Sequence, residues 1–108
     1  MADILVMKTT GKTAPTADKG KPDPKKLIKG KYETKTWNHF TGEDDRLYCG
    51  IWESTPGKVP VDYKEWEFCH IIAGEAILTN DKGKSVRVKA GDGFIIPSGF
   101  KGTWETVK

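Results

Sequence analysis

The stretch that decides the fold is residues 89–99, KAGDGFIIPSG, in which a short apolar run lies between two turn signals. Gly91 and Asp92 favour a tight turn, because glycine adopts positive φ at little steric cost and aspartate accepts hydrogen bonds from turn amides. Pro97 and Gly99 end the run on its other side. The pattern predicts a β-strand that is entered and left through turns.

On both sides of this stretch, short β-prone runs alternate with turn signals at roughly 8- to 12-residue spacing, which is typical of a sandwich or barrel. The sequence NDKG at residues 80–83 predicts a hairpin turn. No segment shows a 3.6-residue apolar period, so the prediction is an all-β fold. The predicted strands are residues 47–53, 66–72, 75–79, 85–89, 94–96 and 102–107.

The N-terminal part of the chain differs in composition from the rest. Residues 8–30 mix Gly, Pro, Thr and Lys without a hydrophobic period and are predicted to be a linker. Residues 1–35 carry a net charge of +5, whereas residues 36–108 carry −2. Residues 2–7 are strand-like and are expected to pair with a sheet edge of the same barrel or of a partner subunit. We therefore predict an arm over residues 1–30 and a domain over 31–108.

Several classes of function do not suit this composition. The apolar runs are far shorter than the roughly 18 residues of a membrane helix or the h-region of a secretory signal, so a cytoplasmic protein without a membrane partner is expected. The basic arm has no arginine and only one aromatic residue, which argues against specific nucleic-acid binding. Cys49 and Cys69 form no CxxC motif and are expected to be reduced thiols.

Two spacings in the sequence resemble the motifs of the cupin family. Six residues separate Glu67 from Gly74, and five separate Gly91 from Pro97. Four short sequences indicate one subgroup of the cupins. They are IAGEA at residues 72–76, GIWE at 50–53, PGKV at 56–59 and GFKGTW at 99–104. They are similar to the small cupins that include ureidoglycine aminohydrolase and the ethanolamine-utilisation Q protein, over roughly residues 35–108. The resemblance implies a double-stranded β-helix, the cupin jelly roll, with an extended N-terminal arm.

The metal ligands of that family are largely missing. The resemblance places two histidines at positions 61 and 63 and a third at 102, where this chain has Val61, Tyr63 and Gly102. A shift by one residue would place the first two at Pro60 and Asp62. Only Glu67 remains of four ligands, and a transition-metal site needs three or more donors. No metal and no other cofactor is predicted.

The candidate site follows from strand alternation together with the resemblance. Glu67, Cys69 and Ile71 share one face of their strand, and the resemblance implies that Glu67 faces the barrel. His70 then faces the other way. The predicted ligand pocket consists of Trp52, Tyr63, Glu67, Cys69, Phe94 and Trp104, with ordinary core packing as the alternative for the aromatic residues.

Three functions are compatible with these residues. The first is a binding module for a small polar or carboxylated metabolite, without a histidine-ligated metal. The second is an enzyme of the ureidoglycine aminohydrolase-like class, in which a buried Glu67 with a raised pKa acts as general acid or base. The third is a dimeric structural or partner-binding cupin. A homodimer is expected, with the arm contributing to its interface.

Overall fold

The computed structural model describes residues 4–12, 14–42 and 47–108, which form β-strands and no helix. The predicted all-β class is confirmed. Accordingly, no helix long and apolar enough to cross a membrane occurs in these three ranges. The strands are β1 Asp18–Gly20, β2 Lys29–Gly30, β3 Thr34–Thr41, β4 Tyr48–Ser54, β5 Gly57–Asp62, β6 Glu67–His70, β7 Glu75–Asn80, β8 Ser85–Lys89, β9 Gly93–Ile96 and β10 Lys101–Thr106. They belong to two compact units, residues 1–21 with 33–54 and residues 22–32 with 55–108.

The first unit is an antiparallel sheet in the order β1-β3-β4. Trp37 in the middle of β3 is its buried side chain. The pairing of β3 with β4 is interrupted by a bulge between Asn38 and Phe40. His39 lies at this bulge, where Nδ1 is 2.9 Å from the Trp37 carbonyl oxygen and Nε2 accepts a hydrogen bond of 2.8 Å from the Lys8 N–H. The His39 side chain thus links the backbone at Lys8 to β3.

The segment predicted to be an arm and linker contributes to both units. β1 pairs with β3 and β2 pairs with β5, although neither strand has a hydrophobic pattern. Pairing needs only backbone N–H and C=O groups, and the sequence pattern does not report on these. Of the strand expected over residues 2–7, the first two residues lie outside the described ranges. Ile4 to Met7 are exposed and form no strand in the single chain, so their pairing with a partner stays a prediction.

The second unit holds the main core. A five-stranded antiparallel sheet has the order β2-β5-β10-β7-β8, and β6 and β9 form a separate two-stranded sheet. In the five-stranded sheet, Trp104 lies opposite Val59 on one side and Leu78 on the other, and all three side chains are buried. The core cluster comprises Ala76, Leu78, Val88, Ile96 and Trp104.

The predicted turns and strands agree well with the observed ones where the apolar alternation is strong. In the turn at residues 80–83, the Asn80 side-chain oxygen accepts hydrogen bonds from the Lys82 and Lys84 amides, and Gly83 has a φ of 85°. The strand expected over 66–72 is shorter, 67–70. β3 was not predicted, and neither was β5, which contains Pro60. Proline is tolerated there since β2 covers only the first two residues of β5 and leaves an edge beyond them.

Candidate functional site

The inner face of β6 and β9 carries the predicted carboxylate and thiol. Glu67 and Cys69 lie opposite Ile96 and Phe94 in the antiparallel register. Ile96 is 2% exposed and belongs to the core, and Cys69 packs against that core. Glu67 and Cys69 therefore share the face that strand alternation assigns to them, while the intervening Phe68 is on the opposite, exposed face.

Tyr63 follows β5 and is held in place by backbone hydrogen bonds. Its N–H donates to the Phe100 carbonyl oxygen at 2.9 Å, and its carbonyl oxygen accepts from the Gly99 N–H at 2.7 Å. Gly99 has a φ of 92° and occupies the third position of a turn that the Phe100 N–H closes onto the Pro97 oxygen. Because that conformation favours glycine, the PSG motif determines where Tyr63 is anchored. The rings of Tyr63 and Phe100 are 6.2 Å apart.

The polar groups of this cluster interact electrostatically. The Cys69 thiol donates a hydrogen bond of 3.2 Å to Oε1 of Glu67. Burial raises the pKa of the Cys69 thiol to about 12, with the Glu67 carboxylate adding to the effect. The pKa of Tyr63 is also raised, mainly by burial and further by its electrostatic interactions with Glu67 and Cys69. Near neutral pH, both Tyr63 and Cys69 are therefore protonated hydrogen-bond donors.

The two tryptophans of the predicted pocket have different positions. Trp104 is 6% exposed, and its indole N–H donates to Oγ1 of Thr106 at 2.8 Å. Its ring lies 6.4 Å from that of Phe94. Trp104 is thus a core residue that supports Phe94. Trp52 is part of the first unit, on β4, whereas the other five predicted pocket residues all belong to the second unit.

The expectation of a buried Glu67 is wrong. Glu67 is exposed, because it is the first residue of β6 in a sheet of only two strands. The general acid-base hypothesis relied on burial to raise the pKa of this carboxyl group, and that support is removed. The site therefore consists of an exposed carboxylate beside a partly buried phenol and a partly buried thiol.

Two further residues belong with the cluster of Tyr63, Glu67 and Cys69 and were not predicted from the sequence. Phe100 packs against both the core and Tyr63. Tyr32 was assigned to the boundary of the arm, yet it also packs against the core, and burial raises its pKa to about 12. Its backbone has a φ of 47°, which is uncommon for a residue other than glycine. The signal available in the sequence was that Tyr32 is the one aromatic residue among the first 35.

The residues at the cupin metal positions do not fit a metal ion. Val61 is apolar, and the Tyr63 phenol has a raised pKa, which disfavours the phenolate that a metal would require. A Cβ atom added at Gly102 would overlap the Thr79 carbonyl oxygen and lie 2.8 Å from its carbon, so no histidine fits there without moving β7 or β10. In the described part of the chain, no three His, Cys, Asp or Glu side chains group closely enough to hold a metal. We therefore assign no chemistry to a metal at this site.

The raised pKa of Cys69 predicts slow alkylation. In a Cys49→Ser variant at about pH 8, iodoacetamide should modify Cys69 roughly 50-fold more slowly in the folded chain than in the urea-unfolded chain. The raised pKa lowers the fraction of reactive thiolate more than it increases the nucleophilicity of that thiolate. The same shift makes the folded state bind the proton more tightly than the unfolded state. Its contribution to stability is therefore complete below about pH 9 and is lost between about pH 9 and 12. Equal rates in the folded and unfolded chain would contradict the shift.

The fold of this chain resembles that of a protein of known structure. A crystal structure at 1.30 Å resolution, of a protein of unknown function of the DUF861 family from Pseudomonas syringae pv. tomato str. DC3000, is similar with a TM-score of 0.74 and 25% sequence identity. The similarity covers 88% of this chain but only 41% of that one, so the chain spans less than half of that protein. No curated protein matches the sequence.

The family profile of the EutQ-like cupin domain matches residues 41–108, well over half of the chain. This range contains the cluster of Tyr63, Glu67 and Cys69. It also contains the two spacings that resemble the cupin motifs, from Glu67 to Gly74 and from Gly91 to Pro97. With the all-β strands and the structural similarity, the match shows that this chain belongs to the EutQ-like cupin family and has its jelly-roll fold.

Proposed function

We propose that this EutQ-like cupin domain binds a small polar metabolite at Tyr63, Glu67 and Cys69, without a histidine-ligated metal. The observation that carries the proposal is the hydrogen bond from the Cys69 thiol to Glu67 Oε1, beside a protonated Tyr63. The bond orients an exposed carboxylate in a cluster that also contains the apolar side chains of Phe94 and Phe100. Sites for small molecules typically combine apolar walls with a few oriented polar groups.

The chemistry of the cluster selects for a ligand that both donates and accepts hydrogen bonds. Glu67 accepts, and it does so best from an ammonium, amide or urea N–H. The Tyr63 phenol donates and suits a carbonyl or carboxylate oxygen. Phe94 and Phe100 add partly buried aromatic surface beside these groups. A small nitrogenous molecule with a carbonyl or carboxylate group matches all of these features.

Binding is proposed ahead of catalysis because the cluster lacks an activated group. The pKa of about 12 keeps the Cys69 thiol protonated, and a thiol in that form is a poor nucleophile. Glu67 is exposed rather than desolvated, so the environment that tunes a general acid is absent around it. An ordered donor and acceptor pair is sufficient for recognition.

The proposal is tested by NMR titration of the isotope-labelled protein with glycinamide, urea, glycine and acetate at millimolar concentrations, in the presence of EDTA. We expect glycinamide to shift the resonances of Tyr63, Cys69 and Phe94. Glu67→Gln should weaken its binding about 10-fold or more, because a hydrogen bond to a charged group contributes about 1.5–3 kcal/mol. Acetate should bind more weakly than glycinamide, since it repels Glu67 and donates no hydrogen bond.

The matched control is Glu53→Gln, which removes a similarly exposed carboxylate from β4 of the first unit. It should leave glycinamide binding unchanged. If both variants weaken binding equally, the effect is one of net charge, and the assignment to Glu67 is wrong. If the shifts occur on residues outside the second unit, the site itself is wrong.

A further inference from the structure

Tyr32 has a backbone conformation that a bulky residue rarely adopts. Among residues 4–12, 14–42 and 47–108, it is the only residue other than glycine with a positive φ, 47°. In this region the side chain crowds the backbone of its own residue, so the conformation is unfavourable and persists only where the surrounding structure fixes it. Such positions are concentrated at functional sites, and Tyr32 is therefore a candidate for a functional role.

Two glycines accommodate this conformation of Tyr32. Gly30 lies opposite Gly57 where β2 pairs with β5. A Cβ atom added at Gly57 would lie 2.7 Å from the Tyr32 Cβ and 2.8 Å from the Tyr32 nitrogen, and one added at Gly30 would lie 2.7 Å from the Pro56 carbonyl oxygen. The Tyr32 N–H donates to that same oxygen at 3.3 Å. The close approach of the two backbones thus fixes Tyr32 beside the first residue of β5.

The Tyr32 side chain occupies the space of a missing side chain on the inner face of β5. Gly57 shares the strand alternation of Val59, which is buried, and of Val61, which packs against the core. Tyr32 packs against the same core. A larger apolar residue at position 57 would fill this space without a positive φ, and phenylalanine at position 32 would fill it without partly burying a hydroxyl group. The hydroxyl group is therefore the feature that packing alone does not explain.

The Tyr32 phenol interacts electrostatically with the cluster of Tyr63, Glu67 and Cys69. Burial raises the pKa of Tyr32 to about 12, so its hydroxyl group is protonated near neutral pH. The pKa of Tyr63 is raised mainly by burial, and Tyr32 adds a smaller contribution. Because a Coulomb interaction weakens with distance, this contribution indicates that the two phenols lie near each other. All four residues belong to the second unit.

We propose, on the basis of the binding function proposed for this site, that Tyr32 is a specificity-determining residue that contributes a second phenol hydroxyl beside Tyr63 to bind the oxygen atom of the ligand. A carbonyl oxygen has two lone pairs and accepts hydrogen bonds from two donors at once, while the N–H end of the ligand is bound by Glu67. A phenol both donates and accepts hydrogen bonds, so Tyr32 can contact a protein group and the ligand together.

The proposal is tested by NMR titration with two probes, glycinamide and methylammonium chloride. Both present an ammonium group to Glu67, but only glycinamide carries a carbonyl oxygen. Tyr32→Phe, which removes the hydroxyl group and keeps the ring, should weaken glycinamide binding about 3- to 10-fold and leave methylammonium binding unchanged. A melting curve verifies that the variant is folded. The change in selectivity between the probes is a result that a purely structural role would not give.

The matched control is Tyr48→Phe, which removes a phenol hydroxyl from β4 of the first unit and should change the binding of neither probe. If Tyr32→Phe leaves glycinamide binding unchanged while Glu67→Gln weakens it, Tyr32 is not part of the site, and the proposed binding function stands without it. If Tyr32→Phe weakens the binding of both probes equally, Tyr32 supports the site by packing alone and the proposal is wrong. If Glu67→Gln has no effect on glycinamide, the proposed binding function is wrong, and the role of Tyr32 with it.

Discussion

Replacing Gly102 by alanine is expected to lower the free energy of unfolding by at least about 3 kcal/mol, or to prevent folding. Gly102 lies in β10 between Val61 of β5 and Asn80 of β7. An added Cβ would overlap the Thr79 carbonyl oxygen and lie 2.9 Å from the Asn80 Cα. These are backbone atoms in the middle of a five-stranded sheet, so the overlap is relieved only by moving one of the strands. Urea unfolding measures the effect.

Gly93→Ala is the matched control for this substitution. Gly93 is also a strand glycine, but an added Cβ there would lie 3.6 Å from the nearest atom of Phe68, which is an ordinary contact. The expected change is within about 1 kcal/mol, in either direction. If Gly102→Ala is equally mild, the close approach of β10 and β7 is wrong. A histidine would then fit at position 102, and the lack of space there would no longer disfavour a metal ligand.

Trp104→Ala is expected to destabilise the protein by about 3–5 kcal/mol, because it removes the largest side chain of the core. Trp104 packs with Leu78, Ile96 and Phe94, and its indole N–H donates to Thr106. The cavity cannot be refilled from the five-stranded sheet, whose register fixes the neighbouring residues. Thermal or urea unfolding followed by circular dichroism gives the size of the loss.

Trp104→Phe separates packing from hydrogen bonding. It retains most of the apolar volume and removes the donor to Thr106 together with a small part of the ring, so the expected loss is about 1–2 kcal/mol. A loss below about 1 kcal/mol for Trp104→Ala would mean that Trp104 is not part of the core. It would then be available as a pocket wall, which was the other interpretation of this residue from the sequence.

The strands with alternating apolar residues could be predicted because the alternation indicates which face of the strand is buried. Val86 and Val88 alternate with Arg87 and Lys89 on β8, and the predicted bounds of β7 and β8 are nearly those observed. The PSG and AGD turns contain glycines at a φ of 92° and 96°, a conformation that the residue types themselves indicate. β1 and β2 could not be predicted, since their pairing depends on backbone groups alone.

The candidate site was predictable in its orientation and less so in its exposure. Strand alternation assigns Glu67 and Cys69 to the same face, and the hydrogen bond between them is a consequence of that spacing. The exposure of Glu67 depends on β6 belonging to a two-stranded sheet, which no local pattern reports. The contribution of Tyr32 depends on a chain reversal with positive φ at a tyrosine, for which sequence propensities give no indication.

We propose that Tyr63, Glu67 and Cys69 form a binding site that works without a metal. Its most direct test is the metal content of protein purified without chelator, measured by inductively coupled plasma mass spectrometry for the wild type and Glu67→Gln. We expect far less than one equivalent of any transition metal per chain in both proteins. About one equivalent in the wild type that is lost in Glu67→Gln would contradict it, because Glu67 would then be a metal ligand.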